Sequence, residues 1–214
     1  LDISTYPDLG NLYYKISDFD ELNPKNLLLT CGSDGAIRTV FQSFIKCNDK
    51  VMITNPTFAM YDVYCKMFGA EIIKINYRNN DGFIDFDFDD LISKLRKFKP
   101  KLFCIPNPDS PTGTLLNDLE IKTILDESKK NNIIVLIDEA YYPFYNYTVK
   151  KFILKKYSNL IIARTFSKAW GLAGTRVGYL ISNESFIHYM NKTRPMYEIG
   201  SFPLKIVNEV LNYP

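Results

Sequence analysis

Lys168 stands in the stretch RTFSKAWGLAGTRVGY, where its neighbours could assist it in chemistry. It directly follows Ser167, lies three residues after Thr165 and precedes Arg176 by eight residues. An amine, two hydroxyls and a guanidinium are thus gathered around one short turn that contains glycine. This combination suits a cofactor aldehyde that forms an imine with lysine and carries a phosphate needing several donors. Pyridoxal 5'-phosphate (PLP) is the candidate, although a lysine taken alone is usually a solvated surface residue.

A second group that could do chemistry lies in IDEAYYPF, where Asp138 ends an apolar run and Tyr141 follows three residues later. A carboxylate in this place could accept the pyridinium N–H of PLP and keep the ring protonated, so that the ring draws electrons from a substrate carbon. Tyr141 could donate to the ring oxygen O3′. The segment alone is equally compatible with an aspartate that caps a turn beside a packed aromatic ring.

Three further segments gain meaning only in combination. In CGSDG at 31–35, Ser33 and Asp34 open a predicted helix whose free N–H groups could hold a phosphate, or these residues could simply cap that helix. Phe58 in NPTFAMY could stack on a flat ring, although an aromatic residue is more often part of a core. The proline-rich loop IPNPDSPTGT at 105–114 would place its polar side chains rigidly.

The fold that must position these segments is indicated by apolar runs that alternate with helix-periodic stretches. Strands are predicted at 26–30, 50–54, 71–76, 101–106, 133–138, 160–164 and 176–181. Helices are predicted near 34–44, 59–68, 88–98, 116–130, 184–193 and 201–212. Since the strands are almost continuously apolar, we expect a three-layer α/β/α fold with a mostly parallel central sheet, forming one domain over 1–214. The segments named above follow strand ends, the edge where open α/β sheets bind ligands.

Composition argues against several other classes of function. The 214 residues are 46% hydrophobic, and their net charge of +2 is too small to indicate nucleic-acid binding. The run KKFILKK at 150–156 is interpreted as a solvated helix or strand edge. No apolar run is long enough to span a membrane and no signal peptide opens the chain, so we expect a cytoplasmic protein without a membrane partner.

Cysteine and histidine usage argues against a metal site and against triad chemistry. The single histidine, His188, lies in a helical-looking stretch without a nucleophile motif and is predicted to be structural. The cysteines lack the paired spacing of a metal site or a disulfide framework, so reduced and packed thiols are expected. They are Cys31, Cys47, Cys65 and Cys104.

In this chain order the motifs resemble the fold-type I PLP-dependent enzymes, and within them the histidinol-phosphate aminotransferase-like group of class I/II aminotransferases. They run from TYPD through CGSDG, NPTF, NPDSPTG and DEAY to SKAWGLAGTRVGY, so the resemblance covers nearly the whole chain. It implies that Lys168 forms the internal aldimine and moves a proton between the substrate Cα and C4′, while Asp138 pairs with the pyridine nitrogen and Tyr141 with O3′. The implied cofactor contacts are Ser33, Asp34, Gly35, Phe58, Asp109, Ser110, Asp138, Tyr141, Thr165, Ser167, Lys168 and Arg176.

The resemblance also implies a homodimer with sites at the interface. Tyr6 matches a tyrosine that in the family reaches the neighbouring subunit's site. The chain departs from the family pattern at Ser110, where relatives carry an asparagine that contacts O3′. The N-terminal arm and the C-terminal small domain of the family, the latter with a substrate-binding arginine, are not recognised in these residues, so we expect a fragment or a truncated product.

The implied activity is the transfer of an amino group between a small amine or amino acid, phosphorylated or otherwise anionic, and a 2-oxo acid. Decarboxylation of a phospho-amino acid stays open, because the cofactor stabilises a carbanion whichever bond breaks and the site geometry selects the bond. A third hypothesis is an inactive fragment of such an enzyme, with a role only in subunit association.

Overall fold

The computed structural model describes residues 3–145, 147–154 and 157–213. The strands are β1 (Leu27–Thr30), β2 (Lys50–Asn55), β3 (Glu71–Asn76), β4 (Arg78–Asn80), β5 (Phe83–Asp85), β6 (Leu102–Pro106), β7 (Ile134–Asp138), β8 (Leu160–Thr165) and β9 (Gly178–Ser182). The α-helices are α1 (Gly10–Asp20), α2 (Gly32–Phe44), α3 (Ala59–Met67), α4 (Phe88–Phe98), α5 (Asp118–Lys130), α6 (Lys150–Leu154), α7 (Glu184–Asn191) and α8 (Ser201–Val210).

Seven of these strands form one sheet in the order β1, β9, β8, β7, β6, β2, β3. Strand β9 runs antiparallel to both of its neighbours, whereas the other adjoining pairs are parallel. The carboxyl ends of β1, β2, β6, β7 and β8 therefore meet the amino end of β9 at one edge of the sheet. This edge is where the predicted chemistry-bearing segments were expected to converge.

Helices cover both faces of the sheet because the strands bury side chains on both sides. In β7, Val135 and Ile137 pack with α1, α4, α5, α6 and α8, while Leu136 packs with α2, α3 and α7 on the opposite face. Burying a large aliphatic side chain contributes about 1.5–3 kcal/mol, so these two cores are the main stabilising feature. The predicted three-layer α/β/α fold with a mostly parallel sheet is confirmed.

Some elements were not predicted from the sequence. Helix α1 buries Leu12 and Ile16, which are one helical turn apart, but it begins without a side-chain cap and was not among the predicted helices. The β4–β5 pair is a short antiparallel hairpin outside the main sheet. Helix α6 lies in the KKFILKK run and buries Phe152 and Ile153, so this run is not a solvated edge throughout. Residues 155 and 156 of that run lie outside the described residues.

Within the described part of the chain, no helix has the length and apolar character needed to cross a membrane.

Candidate active site

A cavity of about 230 Å³ opens at the sheet edge where the parallel strands end. Its walls come from the start of α2, the segment before α3, the loops after β6, β7 and β8, and the turn before β9. The predicted cofactor contacts that line it are Ser33, Asp34, Phe58, Ser110, Asp138, Tyr141, Ser167, Lys168 and Arg176. The fold thus brings together residues that are more than one hundred positions apart in sequence.

Lys168 lies in the turn that follows β8. The turn is closed by the N–H of Gly171, which donates to the Lys168 carbonyl at 2.9 Å, and the lysine side chain is exposed. Its Nζ lies 5.2 Å from the ring centroid of Tyr141, another residue of the cavity wall. Among the described residues, Lys168 takes part in no salt bridge. An amine in this position is free to react with a carbonyl group in the cavity.

Asp138 is the last residue of β7 and is only 6% exposed. Its Oδ1 accepts the N–H of Ala140 at 3.0 Å, and its Oδ2 accepts the hydroxyl of Tyr61 at 3.1 Å. Burial raises the pKa of Asp138 from 3.8 to about 6, although the Ala140 N–H, the Tyr61 hydroxyl and the charge of Lys168 act in the opposite direction. The carboxylate is therefore held by two neutral donors, and its pKa lies well above that of an ordinary aspartate.

The opposite end of the cavity is rich in donors for an anion. Ser33 and Asp34 lie in the first turn of α2, where backbone N–H groups have no intrahelical acceptor. Ser167 is held by Thr165, whose Oγ1 donates to the Ser167 Oγ at 2.9 Å and accepts the Ser167 N–H at 3.1 Å. Arg176 places Nη1 at 3.4 Å from the same Ser167 Oγ. The helix start, hydroxyls and guanidinium form a set of donors typical of a phosphate site.

Two glycines allow these elements to approach. A Cβ atom built on Gly178 would lie 2.5 Å from the backbone carbon of Gly32 and 2.7 Å from the Ser33 nitrogen. A Cβ atom on Gly32, whose φ is +71°, would lie 2.8 Å from Nη2 of Arg176. The atoms that approach Gly178 belong to the backbone and cannot give way, and the positive φ of Gly32 disfavours any other residue there. The glycines of the CGSDG and RVGY motifs therefore hold the α2 start against β9 and Arg176.

The side wall is formed by Phe58 and Ser110. Phe58 precedes α3, is 38% exposed, and meets the ring of Tyr61 edge-on at 5.9 Å with an interplanar angle of 89°. An exposed aromatic ring at a cavity is suited to stacking on a flat ligand. Ser110 lines the cavity in the loop after β6, at the position where the resemblance placed an asparagine.

Three predicted contacts do not line the cavity. Gly35 lies in the first turn of α2, behind Ser33 and Asp34, and Thr165 contacts Ser167 from beneath. Asp109 is buried inside its loop, where its Oδ2 accepts from both the N–H and the hydroxyl of Thr112. Burial raises the pKa of Asp109, and the bonds to Thr112 lower it. In this arrangement Asp109 stabilises the loop that carries Ser110.

Tyr6 lies outside the cavity of its own chain. Its ring stacks on Tyr197 with centroids 3.8 Å apart and an interplanar angle of 12°, and it is 73% exposed. Ile3 and Met196 are exposed as well, at 69% and 75%. The tyrosine is therefore presented at the surface as one member of a stacked aromatic pair.

The sequence reasoning missed Tyr61, which contacts Asp138, and three apolar residues of the cavity wall. Tyr61 lies in the quoted motif NPTFAMY, three positions after Phe58, and this helical spacing was the available signal. The apolar wall residues are Pro106, Ala140 and Ala173. They directly follow or flank predicted site residues and carry no polar group that a motif search would select.

Comparison with known proteins was decisive for the family. The model of the family "Aminotransferase class I and II" matches residues 4–212. The chain belongs to the class I and II aminotransferases. The resemblance inferred from the motifs is thereby confirmed. A histidinol-phosphate aminotransferase of Thermoanaerobacter pseudethanolicus is 36% identical over 211 residues, which are 98% of this chain and 58% of that protein.

Solved structures of this fold extend the comparison. Histidinol-phosphate aminotransferase from Sinorhizobium meliloti in complex with pyridoxal-5'-phosphate matches with a TM-score of 0.84 and 21% identity, over 99% of this chain and 57% of that one. L-threonine-O-3-phosphate decarboxylase from Porphyromonas gingivalis matches with a TM-score of 0.80 and 23% identity, over 98% of this chain and 60% of that one. At these identities the likeness concerns the fold. The chain spans less than two thirds of the length of each of these relatives.

Proposed function

We propose that this aminotransferase-family chain binds PLP in the cavity beside Lys168 and transfers an amino group between an anionic amine or amino acid and a 2-oxo acid. The observation that carries the proposal is the convergence of an exposed amine, a buried carboxylate and an anion-binding end in one cavity. Family membership supports the same cofactor, since a relative of this fold is described in complex with PLP.

The residues present fit the chemical groups of PLP. The phosphate would be held by Ser33, Ser167 and Arg176, where the start of α2 adds backbone donors and the positive end of its dipole. The pyridine nitrogen would face Asp138, and the ring would lie against Phe58. Tyr141 and Ser110 are the hydroxyl groups available for O3′. When bound, PLP supplies an aldehyde and a ring that takes up electrons from the substrate Cα.

Lys168 would hold the cofactor through Nζ and then serve as the base that removes the proton from the substrate Cα and returns it. Its Nζ contacts no carboxylate of the described residues, so a neutral amine is not opposed by an ion pair. Asp138 would accept a hydrogen bond from a protonated pyridine nitrogen. The buried position of this carboxylate excludes water and strengthens that contact.

The identity of the amino donor is proposed from the sequence similarity of this chain to its curated relatives. Curated relatives with 32–37% identity are described as histidinol-phosphate aminotransferases, which favours a phosphorylated amine of that class over decarboxylation. The match to the decarboxylase, at 23% identity, concerns the fold and does not favour its reaction. Amino transfer and decarboxylation can be distinguished by their products, which are pyridoxamine phosphate in the first case and CO₂ in the second.

The test is to incubate the chain with PLP and then with histidinol phosphate or L-glutamate. Transamination predicts conversion of PLP into pyridoxamine phosphate, measured by chromatography, with no release of CO₂ from glutamate. Lys168→Ala is expected to abolish the conversion. Release of CO₂ from a phospho-amino acid without pyridoxamine phosphate would favour the decarboxylase, and failure of the wild-type chain to take up PLP would contradict the proposed function.

We also propose that two copies associate and that Tyr6 of each copy completes the site of the other. Support comes from the stacked rings of Tyr6 and Tyr197, which are 73% and 49% exposed and so present aromatic surface to a neighbouring molecule. Light scattering should give twice the mass of one chain. Mixed Lys168→Ala and Tyr6→Ala chains should recover conversion of PLP, because one site in each hybrid retains both residues; no recovery would contradict a contribution between subunits.

A further inference from the structure

Tyr61 is a buried side chain that the roles described above do not use. It lies on α3 with 0% exposure, and its hydroxyl donates to the Asp138 Oδ2 at 3.1 Å. Its ring also meets Phe58 edge-on at 5.9 Å. One fixed side chain therefore contacts both the carboxylate and the aromatic ring that line the cavity.

The hydroxyl of Tyr61 fixes the orientation of Asp138 without cancelling its charge. The Asp138 carboxylate accepts from the Ala140 N–H and the Tyr61 hydroxyl, and the charges of Glu139 and Lys168 and the buried thiol of Cys104 act on it electrostatically. A salt bridge would neutralise the carboxylate, whereas neutral donors hold it and leave its negative charge available. Without them, a buried carboxyl group would be expected to take up a proton.

The ring of Tyr61 limits the movement of Phe58. Phe58 is 38% exposed and lies directly before the first turn of α3, so its ring is only partly enclosed by the protein. Tyr61 presents its ring edge at 89° to Phe58, a favoured geometry for an aromatic pair. Since Tyr61 itself is fully buried, it provides a rigid support from behind.

We infer that Tyr61 is a positioning residue. It would orient Asp138 toward the edge of the cofactor ring, at the pyridine nitrogen, and Phe58 toward the face of the same ring. Tyr61 itself does not line the cavity, so it would act through Asp138 and Phe58. The inference rests on the proposed function. The direction of the Asp138 titration agrees with this role, because burial raises the pKa of Asp138 while the Tyr61 hydrogen bond lowers it. Loss of the hydroxyl is therefore expected to raise that pKa further and to leave less carboxylate near pH 7.

The test compares Tyr61→Phe with Tyr179→Phe in the full chain. Tyr61→Phe removes one oxygen and keeps the ring. Tyr179→Phe is a matched control, since Tyr179 is also buried and donates to a buried carboxylate, Asp20 Oδ2 at 2.9 Å, but Asp20, unlike Asp138, does not line the cavity. The dissociation constant of PLP is measured by absorbance at pH 6.5, 7.5 and 8.5.

Tyr61→Phe is expected to weaken PLP binding about tenfold at pH 6.5, with the factor falling to about threefold or less at pH 8.5, where Asp138 is ionised in both proteins. Tyr179→Phe is expected to bind PLP like the wild type at each pH. A loss for Tyr61→Phe that is the same at every pH, or no loss, would overturn the positioning role while the proposed function stands.

A second measurement is independent of PLP. The carboxyl ¹³C resonance of Asp138, assigned with Asp138→Asn, is titrated in the free wild type and in free Tyr61→Phe. An upward change in the Asp138 pKa supports the role of the hydroxyl, and an unchanged pKa overturns it. If the wild type fails to take up PLP, the proposed function fails and the cofactor part of the inference falls with it, whereas this titration still decides the hydrogen bond.

Discussion

Asp138 and Glu139 are adjacent in the chain and both buried, yet their surroundings differ completely. Glu139 is 0% exposed and accepts from the Val149 N–H, the Thr148 hydroxyl and the guanidinium of Arg164. Asp138 accepts only from neutral donors, and within the described part of the chain it forms no salt bridge. Successive residues of a strand point to opposite faces, so the two carboxylates enter different layers.

The Glu139 side is a closed charge network. Arg164 is 1% exposed, pairs with Glu139 and Asp20, and lies over the ring of Tyr142 at 3.8 Å. Burial acts to lower the pKa of Arg164, but these carboxylates hold it well above its ordinary value. The comparison indicates that a charge used for structure is fully paired, whereas the charge proposed for chemistry is held by neutral groups and left open to the cavity.

The largest expected effect comes from breaking the closed network. Arg164→Met would leave the buried Glu139 without its cation and Asp20 with only Lys150, at 3.6 Å. It is expected to lower the free energy of unfolding by about 3–5 kcal/mol, measured by urea denaturation. Arg96→Met is the matched control, because Arg96 pairs with Glu127 at 2.9 Å while its own side chain is 63% exposed. It should cost much less stability, because an exposed ion pair is screened by solvent. Equal losses for the two variants would contradict the comparison.

Removing the charge of Asp138 is expected to change the free energy of unfolding in the opposite direction, toward greater stability. A carboxyl group whose pKa rises from 3.8 to about 6 on folding contributes stability below pH 4 that is lost as the pH rises through 6. Asp138→Asn removes this dependence. The variant should therefore be more stable than the wild type by about 1–3 kcal/mol at pH 7.5, and this gain should vanish near pH 4. Its affinity for PLP should fall at least about tenfold.

Urea denaturation of wild type and Asp138→Asn between pH 4 and 8 measures the stability difference, and absorbance titration measures PLP affinity. A variant that is less stable than the wild type at pH 7.5 would show that Asp138 is paired in a way that the structure does not display. An unchanged PLP affinity would show that the Asp138 carboxylate does not contribute to the proposed PLP site.

The smallest effect is expected from the negative charge of Glu139, which belongs to the charge network but also acts on the neighbouring Asp138. The negative charge of Glu139 raises the pKa of its neighbour Asp138. Glu139→Gln should therefore lower the Asp138 pKa slightly, in the direction opposite to Tyr61→Phe. The ¹³C titration of Asp138 measures both changes, and an upward change in Glu139→Gln would contradict the electrostatic account.

Much of the open site was predictable from sequence, whereas the closed network was not. Lys168, Asp138 and Arg176 lie in motifs at strand ends, and the parallel sheet places such ends at one edge. The salt bridge of Arg164 joins it to Asp20, 144 residues earlier, on a helix that the sequence pattern did not predict. Such a pair depends on tertiary packing, which local periodicity does not encode.

The dependence on tertiary packing also explains why only some residues of the candidate site were predicted correctly. Phe58 was predicted from its motif, but Tyr61 in that motif was not, because its role depends on α3 packing over the end of β7. Asp109 was predicted as a cofactor contact from its place beside Ser110, and the structure places its carboxylate against Thr112 instead of in the cavity wall. Spacing predicts which segment reaches the site, and packing decides which side chain faces it.

The central claim, that PLP binds through Lys168 in this cavity, is tested most directly by reductive labelling. The full chain is incubated with PLP, reduced with borohydride, digested and examined by mass spectrometry. If PLP binds through Lys168, the phosphopyridoxyl mass will be found on the peptide containing Lys168, will be absent at that position in Lys168→Ala, and will be weaker in Asp138→Asn. Labelling spread evenly over the exposed lysines, or no labelling of Lys168, would contradict it.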